Sequence, residues 1–110
     1  MTETLNIDEA KSLLDQVRAD NEIDLAAAKE TLAQLAADGS GTENLTDDMA
    51  AARHMEADAA SILKAVDAAL ERIDLGTYGI CSSCGKPVAA ERLKLRPYIT
   101  TCITCADKHQ

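Results

Sequence analysis

Four cysteines in two C-x2-C pairs are the residues of this chain whose type and spacing could do chemistry. The pairs are Cys81/Cys84 and Cys102/Cys105, with 17 residues between Cys84 and Cys102 and no cysteine among the first 80 positions. Two residues between paired cysteines let both sulfurs face one point while the backbone turns. Two such turns offer four thiolates in a tetrahedron, the arrangement Zn²⁺ takes in closed structural sites. Gly85, directly after Cys84, suits a turn that needs positive φ and a close backbone approach. Four thiolates fill the coordination sphere, so the expected metal is structural and leaves no position for a reactive water.

Other uses of the same cysteines fit the chain less well. Two disulfides would suit a small secreted domain, but Met1 leads into polar residues rather than an apolar signal stretch. A redox C-x-x-C opens a helix in an alternating strand–helix pattern, which is not seen here. An Fe(Cys)4 or iron–sulfur site uses the same ligand type and stays open beside zinc. With no signal stretch and thiols in a metal role, a cytoplasmic location is expected.

The elements that must position these cysteines are mostly helical. Asn6 reads as a helix cap with Glu9 three residues on, and no Pro or Gly interrupts from there to Ala37. Ile7, Ala10, Leu14, Val17, Asn21, Leu25, Ala28, Leu32 and Leu35 step by three and four. Two consecutive steps of four around Asn21 form a stutter, and Asn21 sets register there or belongs to a polar patch. Residues 38–44 carry turn chemistry, with Gly39 suited to a helix C′ position and Thr46 to the next N-cap. Ala52, Met55, Ala59, Ile62, Val66, Ala69 and Ile73 then alternate four and three, Leu63 and Leu70 widen the stripe, and Gly76 ends it. Two helices of about 30 residues, each roughly 45 Å long, read as a long antiparallel coiled-coil hairpin. The hairpin takes residues 1–76, with an acidic tip near 38–48. A small C-terminal C4 zinc-finger module takes residues 77–110, with Pro87 in its first turn, a short helix at Ala89–Leu93 and a break at Pro97. The fold class is therefore mainly α. A bundle formed by dimerisation would equally cover the stripes that one hairpin leaves open.

Composition agrees with thin seams. Apolar residues make up 46% of the chain, much of it alanine, and the only aromatic residues are Tyr78 and Tyr98. A large core is excluded on that basis, and the cysteine end needs a metal staple. A net charge of −8 repels phosphate backbones, so direct nucleic-acid binding is not expected. No apolar run is long enough to span a membrane. Arg92, Lys94 and Arg96 form a small basic cluster within this acidic chain. They read either as a solvated face or as a contact for an acidic partner surface. His54 and His109 read as ordinary surface residues.

Gly76-Thr77-Tyr78-Gly79-Ile80-Cys81, then Cys84-Gly85, Arg92-Leu93 and Pro97, resemble the finger of the DksA/TraR family. That resemblance covers Gly76 to Cys105. It implies a bacterial regulator of transcription that binds RNA polymerase, with a C4 zinc finger at the base of a helical hairpin whose tip enters the secondary channel. A hairpin that enters a channel is expected to be a monomer, and carboxylates on an exposed loop have no pocket to shift their pKa values, so enzymatic activity is not expected. The family's tip motif is Asp-x-x-Asp-x-Ala. Here Asp48 and Ala50 match its second Asp and its Ala, Leu45 stands where the leading Asp belongs, and Asp47 is one position off. Asp47 and Asp48 equally suit the first turn of a helix, where carboxylates favour the dipole. The family's guanosine tetraphosphate contacts fall on Ala65, Arg96 and Ala106, of which only Arg96 is basic. The alternative function is a zinc-stabilised helical adaptor or dimer for some other protein partner.

Overall fold

The computed structural model describes residues 6–38 and 45–108. Helices α1 (Ile7–Asp38), α2 (Leu45–Leu75), α3 (Ala90–Leu95) and α4 (Ile103–Lys108) follow in order. The expectations for Gly39, the rest of the turn at 39–44, and His109 lie outside the described residues. Contacts gather the chain into two compact units, Met1–Val17 with Lys64–Gln110, and Arg18–Leu63.

The first unit begins at the α1 cap. The Asn6 carboxamide oxygen accepts the Asp8 N–H at 2.8 Å, and the Asn6 carbonyl accepts the Ala10 N–H at 2.8 Å. Asp8 and Glu9 lie in the first turn, where the helix dipole favours them. Ala10 and Leu14 of α1 are fully buried, as are Val66 and Ala69 of α2. These are the seam positions their spacing predicts. Ile7, expected on the same seam, is 42% exposed because it is the first helical residue and precedes the first buried turn.

Helix α2 ends as its glycine predicts. Gly76 has φ 79°, its N–H bonds the Ile73 carbonyl at 3.2 Å, and the Thr77 N–H bonds the Arg72 carbonyl at 2.9 Å. That pair of bonds is a Schellman motif, and the left-handed residue it requires is one for which glycine bears no Cβ penalty.

Beyond it the chain is held by turns rather than by sheet. Ile80 and Pro87 form an isolated antiparallel bridge, flanked by Val88 N–H to Gly79 carbonyl at 2.7 Å and Cys81 N–H to Lys86 carbonyl at 2.8 Å. Val88 and Leu93 are fully buried and make the small core of this region. The short helix expected at Ala89–Leu93 runs instead over Ala90–Leu95, with Ala89 in extended geometry as its N-cap. Pro97 follows and is buried. Helix α4 was not expected from the sequence; it is nucleated where the Cys102 carbonyl accepts the Ala106 N–H at 2.9 Å.

In the second unit α1 and α2 run antiparallel. Ala27, Ala28, Thr31 and Leu35 face Asp48, Ala51, Ala52 and Met55, while Asn21 and Asp24 lie beside Met55, Asp58, Ala59 and Ile62. Ala28, Ala52 and Ala59 are buried among its described residues. Met55, a predicted seam residue, is 53% exposed because its neighbours across the seam are short (Ala27 and Ala28) or polar (Asn21 and Asp24). Asn21 itself is half-buried. Helix α2 begins at Leu45, so Thr46 lies inside its first turn and is not the N-cap.

Candidate functional site

The local backbone brings the two cysteine pairs to one point. The Gly85 N–H bonds the Cys81 carbonyl at 2.9 Å, closing a turn around Cys81–Cys84 in which Gly85 takes φ 75°. The Ser82 N–H bonds the Thr100 carbonyl at 2.8 Å and ties that turn to the strand of chain entering the second pair. Cys102 precedes α4 and Cys105 sits in its first turn.

All four sulfurs lie within 4.8 Å of one another, and the Sγ atoms of Cys84 and Cys102 are 3.7 Å apart. Sulfurs about 2.3 Å from a tetrahedral zinc stand about 3.8 Å from each other. A disulfide would need about 2.05 Å, and all four cysteines are free. Cys81 and Cys105 are buried, Cys102 is half-buried and Cys84 is exposed.

The electrostatics of the cluster favour a cation. The backbone N–H of Cys102, aimed at the Cys81 sulfur, lowers that thiol to about 6; burial opposes the shift and the Cys84 and Ser83 N–H groups add to it. Cys105 is pushed up to about 12, first by its hydrogen bonds to the Cys102 and Cys81 sulfurs and then by burial. Cys102 is lowered, chiefly by the Cys105 N–H. Thiols at this spacing cannot all ionise beside one another, and a divalent ion at their centre removes the conflict. The donor set therefore fits one Zn²⁺ held by Cys81, Cys84, Cys102 and Cys105. When bound, the ion supplies a cross-link between the two turns.

Three side chains brace this end, and spacing alone did not reveal their roles. Arg72, in the last turn of α2, donates from Nη2 to the carbonyls of Thr77, at 3.0 Å, and Ile80. The buried Tyr78 hydroxyl donates to the Pro97 carbonyl at 2.8 Å. Arg92 donates from Nε to the Thr101 carbonyl at 3.0 Å, one residue before Cys102. A basic residue just before the helix-ending Gly76 was the one signal available for Arg72. Of the basic cluster, Arg92 thus has an internal partner, while Lys94 and Arg96 are exposed. Ala65 and Ala106 are half-buried.

Asp47, Asp48 and Ala50 come together in the first two turns of α2, all three exposed. Asp48 also borders a shallow apolar recess with Ala51, Ala52 and Met55.

The geometry defines a class: a pair of long antiparallel helices carrying a C4 zinc finger at the C-terminal end. Residues 76–110 match the family model described as the prokaryotic dksA/traR C4-type zinc finger. An uncharacterized protein of Aquifex aeolicus (strain VF5) is 44% identical over 46 residues, 42% of this chain and 32% of that protein. The RNA polymerase-binding transcription factor DksA of Caulobacter vibrioides (strain NA1000 / CB15N) is 33% identical over 49 residues, 44% of this chain and 34% of that protein. The chain thus matches about a third of the length of these curated relatives. The solved structure of transcription factor DksA2 from Pseudomonas aeruginosa superposes with a TM-score of 0.77 at 27% identity, covering 93% of this chain and 81% of that one.

Proposed function

We propose that this protein is a transcription regulator that binds RNA polymerase, with its coiled-coil tip entering the secondary channel and its zinc finger acting structurally. The observation that carries the reading is the likeness to DksA2 over 93% of this chain, helices and finger together. The Caulobacter relative, named as an RNA polymerase-binding factor, supports the same partner over the 49 residues it matches. Asp48 and Ala50 act at the tip, with Asp47 standing in for the carboxylate missing at Leu45. The protein works by occupancy rather than by catalysis: four thiolates saturate the metal, and the tip carboxylates stand exposed to water. A hairpin that enters a channel works as a single polypeptide, so the active form is a monomer acting in the cytoplasm. No described helix is long and apolar enough to cross a membrane.

The tip separates this role from helix capping. Losing a favourable first-turn charge costs about 0.3–1 kcal/mol of helix stability. Asp48→Asn keeps size and much of the hydrogen bonding, so its melting temperature should stay within a few degrees of the parent. In an in vitro transcription assay the same variant should lose its effect while still binding polymerase. Full regulatory activity in Asp48→Asn and in the Asp47→Asn/Asp48→Asn double variant would leave these carboxylates as helix-stabilising groups only.

A further inference from the structure

Two arginines make the same contact at equivalent places beside the cysteine cluster. Arg72 donates from Nη2 to the Ile80 carbonyl, one residue before Cys81, and Arg92 donates from Nε to the Thr101 carbonyl, one residue before Cys102. Each guanidinium thus holds the peptide group that leads into the first cysteine of one C-x2-C pair. A peptide group is planar, so fixing its carbonyl also aims its N–H. The Cys81 N–H meets the Lys86 carbonyl at 2.8 Å, within the turn that gathers Cys81 and Cys84. The Cys102 N–H points across the site at the Cys81 sulfur. Between Arg92 and that sulfur the donors therefore run in series, guanidinium to carbonyl and then N–H to sulfur. Both arginines are half-buried, and a charge-assisted hydrogen bond is about twice as strong as a neutral one.

We propose that Arg72 and Arg92 are positioning residues for the zinc, each fixing the approach of one cysteine pair, and that together they set how tightly the ion is held. Four thiolates around one divalent ion carry excess negative charge, which a cation one peptide group away offsets. Arg72 belongs to the last turn of α2 and Arg92 to α3, so the two pairs are aligned from different elements. Removing either guanidinium loosens the site while leaving all four ligands in place. The inference rests on the C4 site and not on the tip or on polymerase binding.

The test uses the full chain and reads zinc affinity by competition with a chromogenic chelator. Arg72→Met and Arg92→Met keep an apolar stem and lose the donors, and each should weaken zinc binding by about 10–100-fold. Arg92→Lys, which restores the charge, should recover part of that loss. Lys94→Met removes an exposed charge from the same short helix and should stay within about twofold of the parent. Cobalt(II) in place of zinc separates positioning from simple support of the fold. A residue that only supports the fold leaves the spectrum of the saturated cobalt form as it was. In Arg92→Met the Cys81 sulfur loses a polarised donor and becomes more electron-rich, so the sulfur-to-cobalt charge-transfer band should move to longer wavelength. Parent-like zinc affinity in either Met variant, an equal loss in Lys94→Met, or an unmoved band in Arg92→Met would overturn the proposal. So would Arg92→Lys binding zinc no better than Arg92→Met, including the case in which neither binds.

Discussion

Tyr78 shows how much of the finger's stability rests on single polar contacts. Its hydroxyl is buried on the Pro97 carbonyl, and burial pushes the phenol up to about 12 from an ordinary 10.0. Tyr78→Phe would leave that carbonyl without its partner, costing about 1–3 kcal/mol, measurable as a lower denaturant midpoint. The pH dependence has a definite sign. Because the folded value is raised, the unfolded chain ionises first as pH climbs, so the contribution is complete below about 10 and lost as pH rises through about 12. The parent should therefore lose stability across that window, and the gap between parent and Tyr78→Phe should narrow. The cysteines were legible in the sequence because C-x2-C spacing is itself geometry. The bonds of Tyr78, Arg72 and Arg92 were not, since each reaches a backbone carbonyl whose place depends on turns the sequence does not display. Residue types announced a zinc site, but not what keeps its turns in register.

At the scale of elements, the seam was readable because three-and-four spacing maps directly onto helix faces. Ala10, Leu14, Val66 and Ala69 are buried where that spacing put them. The exceptions are instructive. Met55 follows the pattern yet stays exposed, because pattern says which face a residue occupies and not whether the residue opposite is large enough to cover it. The same lack of bulk distinguishes the two units. The buried residues among those described in Arg18–Leu63 are all alanine, whereas the other unit buries Leu14, Val66, Val88 and Leu93. Alanine contacts exclude little water, so each stabilises by far less than the roughly 1.5–3 kcal/mol of a buried Leu or Val. Positions 18–63 also hold ten acidic residues against three basic ones, which repel one another along the helices. Native-state hydrogen exchange should accordingly find amides of residues 20–35 and 48–62 opening at lower free energy than those of 64–74. Leu14→Ala, which leaves a cavity at a fully buried position, should remove about 2–5 kcal/mol and erase that difference. Equal protection across both stretches would mean that bulk at the seam does not set local stability.

For the molecule as a whole, the metal is the element that no amount of burial replaces. The first unit combines the end of α2, the start of α1 and the finger, and its small core is closed by a cross-link between residues far apart in sequence. A structural zinc contributes free energy of order 10 kcal/mol. Chelation, or Cys84→Ser, should therefore disorder residues 77–108 and loosen the Leu14–Val66 layer, with the helical signal of α1 and α2 falling less. Metal analysis of natively purified protein should return one zinc per chain, and its absence would remove the basis for the finger. This level of organisation was only partly visible in the sequence. The helices, the turn at Gly76 and the ligand set could be read residue by residue. The grouping of the finger with both helix ends could not, because it rests on contacts between Met1–Val17 and Lys64–Gln110, segments far apart in sequence.

The proposal that this zinc-braced helical protein acts on RNA polymerase through its secondary channel is tested most directly by competition for the core enzyme. Labelled zinc-loaded protein should bind purified RNA polymerase core, and an excess of a different protein known to occupy the secondary channel should displace it. Asp48→Asn should bind and be displaced in the same way, since the tip acts after docking. Binding that persists undiminished under saturating competitor, or no binding to core at all, would contradict the account and leave a zinc-stabilised helical adaptor for another partner in its place.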